Sequence, residues 1–184
     1  MAAPATTTMK DLTGKFWMNK TLSDDTDDVL TLQGISWFTR KAIALANLCL
    51  DIKHYRDDDG VEHIDIVQTL TGGIQGTTEL RTLDWTEREH EDHIFGKLRG
   101  KSRRIKPSEL DDDFLKKNFL PEVEADCAVE SYVVNDANKW TAQQIWGFET
   151  INDIRYYVRH LKFTKNDTDQ VLYKRLVYDW ADAQ

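Results

Sequence analysis

Cysteine, proline and glycine are all scarce in this chain, and each scarcity excludes something. Two cysteines in 184 residues, Cys49 and Cys127, cannot build a disulfide framework, and no CxxC pair is present for metal or redox work. Both are expected as free thiols in a core, the usual state of cysteine inside cells. Three prolines and nine glycines are too few for a low-complexity linker, so the chain reads as one domain. A domain of this size buries about 70% of its unfolded surface. No apolar run approaches the roughly 20 residues that span a bilayer. The start, Met1-Ala2-Ala3-Pro4-Ala5, lacks the basic residues and apolar stretch of a secretory signal. The expectation is a cytoplasmic protein with no integral membrane segment.

Positive charge is also in deficit. Lys and Arg total 24 against 32 Asp and Glu, a formal charge of −8. Phosphate neutralisation needs surplus positive charge, so nucleic acid is not an expected partner; a small molecule or a protein is. Phosphate loop, nucleophile elbow and dinucleotide fingerprint are all missing, which removes conventional kinase, hydrolase and dehydrogenase chemistry. The five histidines (His54, His63, His90, His93 and His160) show no paired metal-ligand spacing, and the stretch from His90 to His93 reads as a turn. Neither a metal nor a cofactor is expected. Oligomeric state is left open.

What the chain does contain is aromatics, with six Trp, six Tyr and seven Phe, and a strand rhythm. Residues 1–10 read as a flexible tail and 11–184 as a single domain. A first strand covers Gly14 to Lys20. A helical interruption at about 24–47 follows, with Ser23 expected to cap its first helix and Gly34 to stop it. The second helix places Ile35, Phe38, Ala42, Leu45 and Ala46 on one side, an apolar stripe able to face a cavity. A second strand starts at Leu48. With Asp58-Asp59-Gly60 as its turn, the next hairpin pairs Arg56 with Glu62, Lys53 with Asp65 and Ile52 with Ile66. This register puts His54 and Gln68 on the inward face. Gly72-Gly73 and Asn166-Asp167 mark turns. Further strands are expected at about 77–85, 92–104, 128–134, 141–150, 154–164 and 170–180. An insertion at about 106–127 breaks the rhythm, with a capping box from Ser108 to Asp111 and a short helix ended by Pro121. Helices between the first two strands of an otherwise all-β chain point to an antiparallel barrel with a helical cap, and so to a cavity.

Two stretches resemble the intracellular fatty-acid-binding branch of the calycin (lipocalin-like) barrels: Asp11-Leu12-Thr13-Gly14-Lys15-Phe16-Trp17, and Gly34-Ile35-Ser36-Trp37-Phe38-Thr39-Arg40-Lys41-Ala42. Small fungal proteins encoded among natural-product enzymes are similar as well. The resemblance implies an up-and-down calycin barrel, a helix pair over one mouth and a small hydrophobic ligand inside. The family clamps a carboxylate with an Arg-x-Tyr pattern near its end; Arg155-Tyr156-Tyr157 has this spacing one strand earlier, while Arg175 and Tyr178 point to opposite faces.

No catalytic residue stands out. The candidate ligand-binding residues are His54, Gln68, Arg155, Tyr157, Arg159, Arg175 and, on the cap, Trp37 and Phe38. Arg155, Tyr157 and Arg159 alternate onto one strand face and would make a cationic, hydrogen-bonding site if that face is inner. The opposite face, Ile154, Tyr156, Val158 and His160, fits the inside equally well. Along 94–105, Ile94, Gly96, Leu98, Gly100 and Ser102 are expected inward, and Phe95, Lys97, Arg99, Lys101 and Arg103 outward under the acidic segment 109–113. Two functions follow. One is binding of a hydrophobic, carboxylate- or enol-bearing molecule. The other is a cofactor-free cyclase or isomerase, of pericyclase type, acting on a lipophilic natural-product intermediate in the same cavity.

Overall fold

The computed structural model describes residues 1–72 and 76–181. Ten antiparallel strands form one sheet curled into a nearly closed barrel: β1 (Gly14–Met18), β2 (Leu48–Arg56), β3 (Glu62–Leu70), β4 (Thr78–Thr82), β5 (Arg88–Asp92), β6 (Gly96–Ile105), β7 (Ala128–Asn135), β8 (Trp140–Ile151), β9 (Ile154–Lys165) and β10 (Gln170–Ala181). Hydrogen-bonded order runs β4-β3-β2-β1-β10-β9-β8-β7-β6-β5, so each neighbour is next in sequence except where β1 meets β10. No ladder joins β4 to β5 among the described residues. The seam closes instead where the Trp85 N–H donates to the Ser102 carbonyl at 2.8 Å. The β2–β3 register is the expected one, Arg56 to Glu62, Lys53 to Asp65 and Ile52 to Ile66. Gly60, at φ +80°, supplies the left-handed conformation of that turn.

The cap consists of α1 (Asp27–Leu32) and α2 (Trp37–Leu45). Its details differ from expectation. The N-cap of α1 is Thr26, without a side-chain bond, and Ser23 instead bonds the Val177 backbone. The expected apolar stripe of α2 is covered only at its ends, by Ile35 and Ala46, while Phe38 is 78% exposed and Leu45 85%. Arg40 fixes the rotation. Its Nε donates to Asp27 at 3.0 Å and its Nη1 to the Ile35 carbonyl, which turns Ile43, Ala44 and Ala46 toward the barrel mouth.

Three other expectations need correction. The 92–104 strand is a hairpin, β5 turning into β6 through 93–95, with His90 on β5 rather than in a turn. In the insertion, Asp112 rather than Ser108 caps α3 (Asp113–Lys116), and Pro121 opens α4 (Pro121–Asp126) instead of ending a helix, as suits a residue that lacks an N–H. Residues 1–10 are not frayed: Met9 is 1% exposed, Ala3 hydrogen-bonds β9, and the terminal amine pairs with Asp179 at 3.0 Å. Met9 and Leu12 stay because the end of the barrel opposite the cap offers them apolar cover; they join Phe16, Leu50, Ile52, Ile64 and Ile66 in the main core. Gly72 is exposed, and Gly73 lies outside the described residues.

The insertion packs on the outer wall. Phe119 and Val123 sit over Gly147 of β8, where a Cβ would lie 2.5 Å from the Phe119 ring. Beneath it His160 is fully buried, stacked on Phe119, with Nδ1 donating to the Leu115 carbonyl and Nε2 facing Glu149. Arg175 approaches the same carboxylate at 3.5 Å. The basic outer face of β6 is neutralised not by 109–113 but by Glu87, Glu130 and Asp136, which reach Arg99 and Arg103 at 2.7–2.8 Å.

Candidate active site in the barrel cavity

Between the cap and the apolar floor lies a cavity of about 680 Å³, within the range of small-molecule sites. Its upper walls are apolar: Val29 and Ile43 from the cap, then Leu48, Leu98, Val133 and Leu161 from the strands. Gly100 and Ser102 keep β6 thin on the inside, as their alternation with the basic residues predicts, but Phe95, expected outward, lies in the 93–95 turn and lines the cavity against Trp140. The inner end is polar, and it is built by strand alternation. The odd-numbered face of β9 is the inner one, bringing Tyr157, Arg159 and Leu161 inside and leaving Tyr156, Val158 and His160 under the insertion.

Arg159 is the centre of this polar end and is 3% exposed. Its guanidinium lies 4.1 Å from the Trp146 ring centroid, and its Nε donates to the Tyr157 hydroxyl at 3.1 Å. On β4, Glu79 and Arg81 point inward while Leu80 between them is 64% exposed. Glu79 Oε2 is 3.3 Å from Arg81 Nη2 and 3.6 Å from Arg159 Nη1. Gln68 Nε2 donates to the other oxygen, Glu79 Oε1. Burial alone would raise the Glu79 carboxyl, but the charges of Arg81 and Arg159 outweigh it and hold its pKa below the ordinary value. Burial also opposes the Arg159 charge, yet Tyr157, Tyr178 and Glu79 around it raise its pKa further. Burial raises both tyrosines, which stay neutral phenols. Two guanidinium groups against one carboxylate leave this end with excess positive charge. Among the described residues, the buried side-chain polar atoms without a hydrogen-bond partner are Arg159 Nη2, Arg81 Nε, Glu79 Oε2 and, nearer the cap, Trp140 Nε1. All four residues line the cavity. Buried polar groups are normally satisfied, so this clustering marks where a ligand's polar atoms belong.

The candidate residues read from the sequence are dispersed. Arg159 and Gln68 meet at the polar end. Tyr157 is inward but buried beneath the cavity, holding Arg159. Arg155 shares their face but sits at the opposite end, bonded to Glu122 and to the carbonyls of Ala3, Pro4 and Thr7. His54 is inside yet structural: Leu12 N–H donates to its Nδ1 at 3.1 Å, so Nε2 carries the proton toward Glu62 at 2.7 Å. Arg175 faces outward to Glu149, and Trp37 and Phe38 are solvent-exposed. Sequence reasoning missed Glu79, Arg81 and Tyr178. The alternation in Thr78-Glu79-Leu80-Arg81-Thr82 was the available signal, but it reads with Leu80 inward.

The comparisons with known proteins bear on this cavity. A protein of Mollisia scopiformis described as "Probable pericyclase scpY" is 31% identical over 186 residues, covering 100% of this chain and 96% of the relative. Pericyclase pydY of an Acremonium species is 30% identical over 185 residues, covering 98% of this chain and 97% of its own. The chain belongs to this fungal pericyclase family. No family model matches it. Among solved structures, the Schistosoma mansoni fatty-acid-binding protein in complex with arachidonic acid superposes with a TM-score of 0.54, at 12% identity over 92% of this chain and 96% of that one. At that identity the likeness establishes the fold: this pericyclase relative is built on a fatty-acid-binding-protein-like calycin barrel. No helix among the described residues is long and apolar enough to cross a membrane.

Proposed function

We propose that the chain is a cofactor-free cyclase of pericyclase type, acting on a lipophilic natural-product intermediate enclosed beneath the cap. The observation that carries this reading is the unpartnered Arg159 Nη2, a charged donor held inside a largely apolar cavity. A pericyclic step moves electrons around a ring of atoms with none gained or lost. It needs the substrate folded into a reactive shape, water excluded, and one unsaturated partner polarised. The apolar walls and cap supply the first two, converting a floppy chain into a near-attack conformer. Arg159 supplies the third. A substrate carbonyl that accepts a hydrogen bond from Nη2 loses electron density from its conjugated double bond and reacts faster with an electron-rich diene. Trp146 and Tyr157 orient the guanidinium beforehand, so little reorganisation is needed at the transition state. The relatives' designation as pericyclases supports the reaction class. The neighbour's complex with arachidonic acid supports a lipophilic occupant.

The excess positive charge of the polar end favours a second reading, in which the barrel carries a lipid-like acid unchanged. Incubation with the metabolite extract of a strain deleted for the gene separates the two. The cyclase reading expects one compound to convert into another of identical mass and different retention. An extract left unaltered, with a stoichiometric lipid acid co-purifying from cells, would establish carriage instead.

A further inference from the structure

Polarisation of a substrate carbonyl by Arg159 uses one buried donor of the polar end and none of its acceptors. Glu79 Oε2 is buried without a hydrogen bond, although Arg81 Nη2 and Arg159 Nη1 stand at 3.3 and 3.6 Å. Gln68 holds the other carboxylate oxygen and so fixes which one faces the cavity. Arg159 Nη2 lies one edge of the same guanidinium from Nη1. A buried donor and a buried acceptor therefore stand side by side, fixed by separate strands, β9 and β4. A ligand that satisfies only the donor leaves a buried carboxylate oxygen without a hydrogen bond.

We infer that the substrate's polar head is a cis amide, a primary amide or a ring lactam, whose carbonyl takes Arg159 Nη2 while its N–H donates to Glu79 Oε2. The cis geometry matters, since an open-chain secondary amide is trans and points its N–H and C=O in opposite directions. A carboxylate head matches the arginine but meets Glu79 as like charge. An ester offers acceptors alone. Glu79 is thus a specificity-determining residue, selecting against the fatty acids that a barrel of this fold could otherwise hold.

The inference takes Arg159 as the anchor, as the proposed function does, but it is read by binding alone. Selective amide binding without turnover would keep it and lose the reaction; turnover without selectivity would do the reverse. The probes are dodecanamide, methyl dodecanoate and dodecanoate, titrated against the full chain by tryptophan fluorescence, with Trp146 under Arg159 as reporter. Dodecanamide is expected to bind about tenfold tighter than the ester, the effect of one charge-assisted hydrogen bond, and tighter than dodecanoate. In Glu79→Gln the amide-to-ester ratio is expected to fall to about threefold or less. Should that variant not fold, N,N-dimethyldodecanamide on the wild-type chain reads the same contact, because it keeps the carbonyl and lacks the N–H. Equal binding of amide and ester, tightest binding of dodecanoate, no binding of the amide, or a ratio unchanged in Glu79→Gln would overturn the inference.

Discussion

Replacing Arg159 with methionine isolates the donor from the packing around it. Methionine is unbranched and of similar reach, and its thioether keeps a favourable contact with the Trp146 ring. What disappears is the charge, the Nε bond to Tyr157 and the free Nη2. Removing one preorganised donor from an oxyanion-type site costs about 2.7–4 kcal/mol, or a factor of roughly 100–1,000 in rate. The stability cost should be smaller than that of abandoning a buried charge, roughly 3–5 kcal/mol, because Glu79 keeps Arg81 at 3.3 Å. About 1–2 kcal/mol is expected, a fall in Tm of roughly 2–8 °C for a domain of this size. The assay is conversion of substrate to its equal-mass isomer under single-turnover conditions, with the uncatalysed reaction as the floor, beside thermal unfolding by circular dichroism. Arg159→Lys should fall between the two, since it returns charge without the planar fork. A folded Arg159→Met protein that cyclises within about threefold of wild type would refute the donor mechanism, because shape alone would then account for the rate.

The outer wall makes an independent prediction. Glu149 is 1% exposed and faces His160 and Arg175 with one oxygen each, so Glu149→Gln removes the charge and replaces one acceptor with an NH2 group, and should cost about 3 kcal/mol in urea unfolding; a loss under about 1 kcal/mol would mean the pairing is incidental. For Glu62, burial raises the carboxyl, but hydrogen bonds from His54 and Arg104 outweigh it and lower the pKa from 4.5 to about 2. A depressed carboxylate stabilises the fold above its unfolded pKa and loses that contribution as pH falls through the folded value. Stability should therefore drop by roughly 3 kcal/mol from this group between pH 4.5 and 2, and Glu62→Gln should lack that component; equal pH slopes in the two proteins would contradict it. On the cap, Trp37 and Phe38 are 63% and 78% exposed, so Trp37→Ser and Phe38→Ser should each change stability by less than about 0.5 kcal/mol and probe affinity by less than about twofold. A tenfold loss of affinity in either would place them against the ligand.

Strand alternation made much of the barrel legible. The β2–β3 register followed from requiring Ile52, Ile64 and Ile66 on one face, because a one-residue slip would send them to opposite faces. Inward Leu98, Gly100 and Ser102 followed in the same way. The cap was legible as helices but not in its rotation, since helical periodicity names a stripe without saying what it meets. The Arg40–Asp27 pair across the two cap helices set that.

The polar site was hidden by the same rule that revealed the walls. On β4 the pattern suggests Leu80 inside; the barrel instead turns Glu79 and Arg81 in, where Gln68 and Arg159 from other strands give them partners. On β9 both faces are buried, one by the cavity and one by the insertion, so alternation alone could not choose between them. By itself, then, the sequence determined a capped antiparallel barrel with a small-molecule cavity, because period and turn chemistry act locally. Which charges meet inside it is a property of strands far apart in sequence. Only closure of the sheet brings Glu79, Arg81 and Arg159 to one end and leaves His54, Arg155 and Arg175 as parts of the frame.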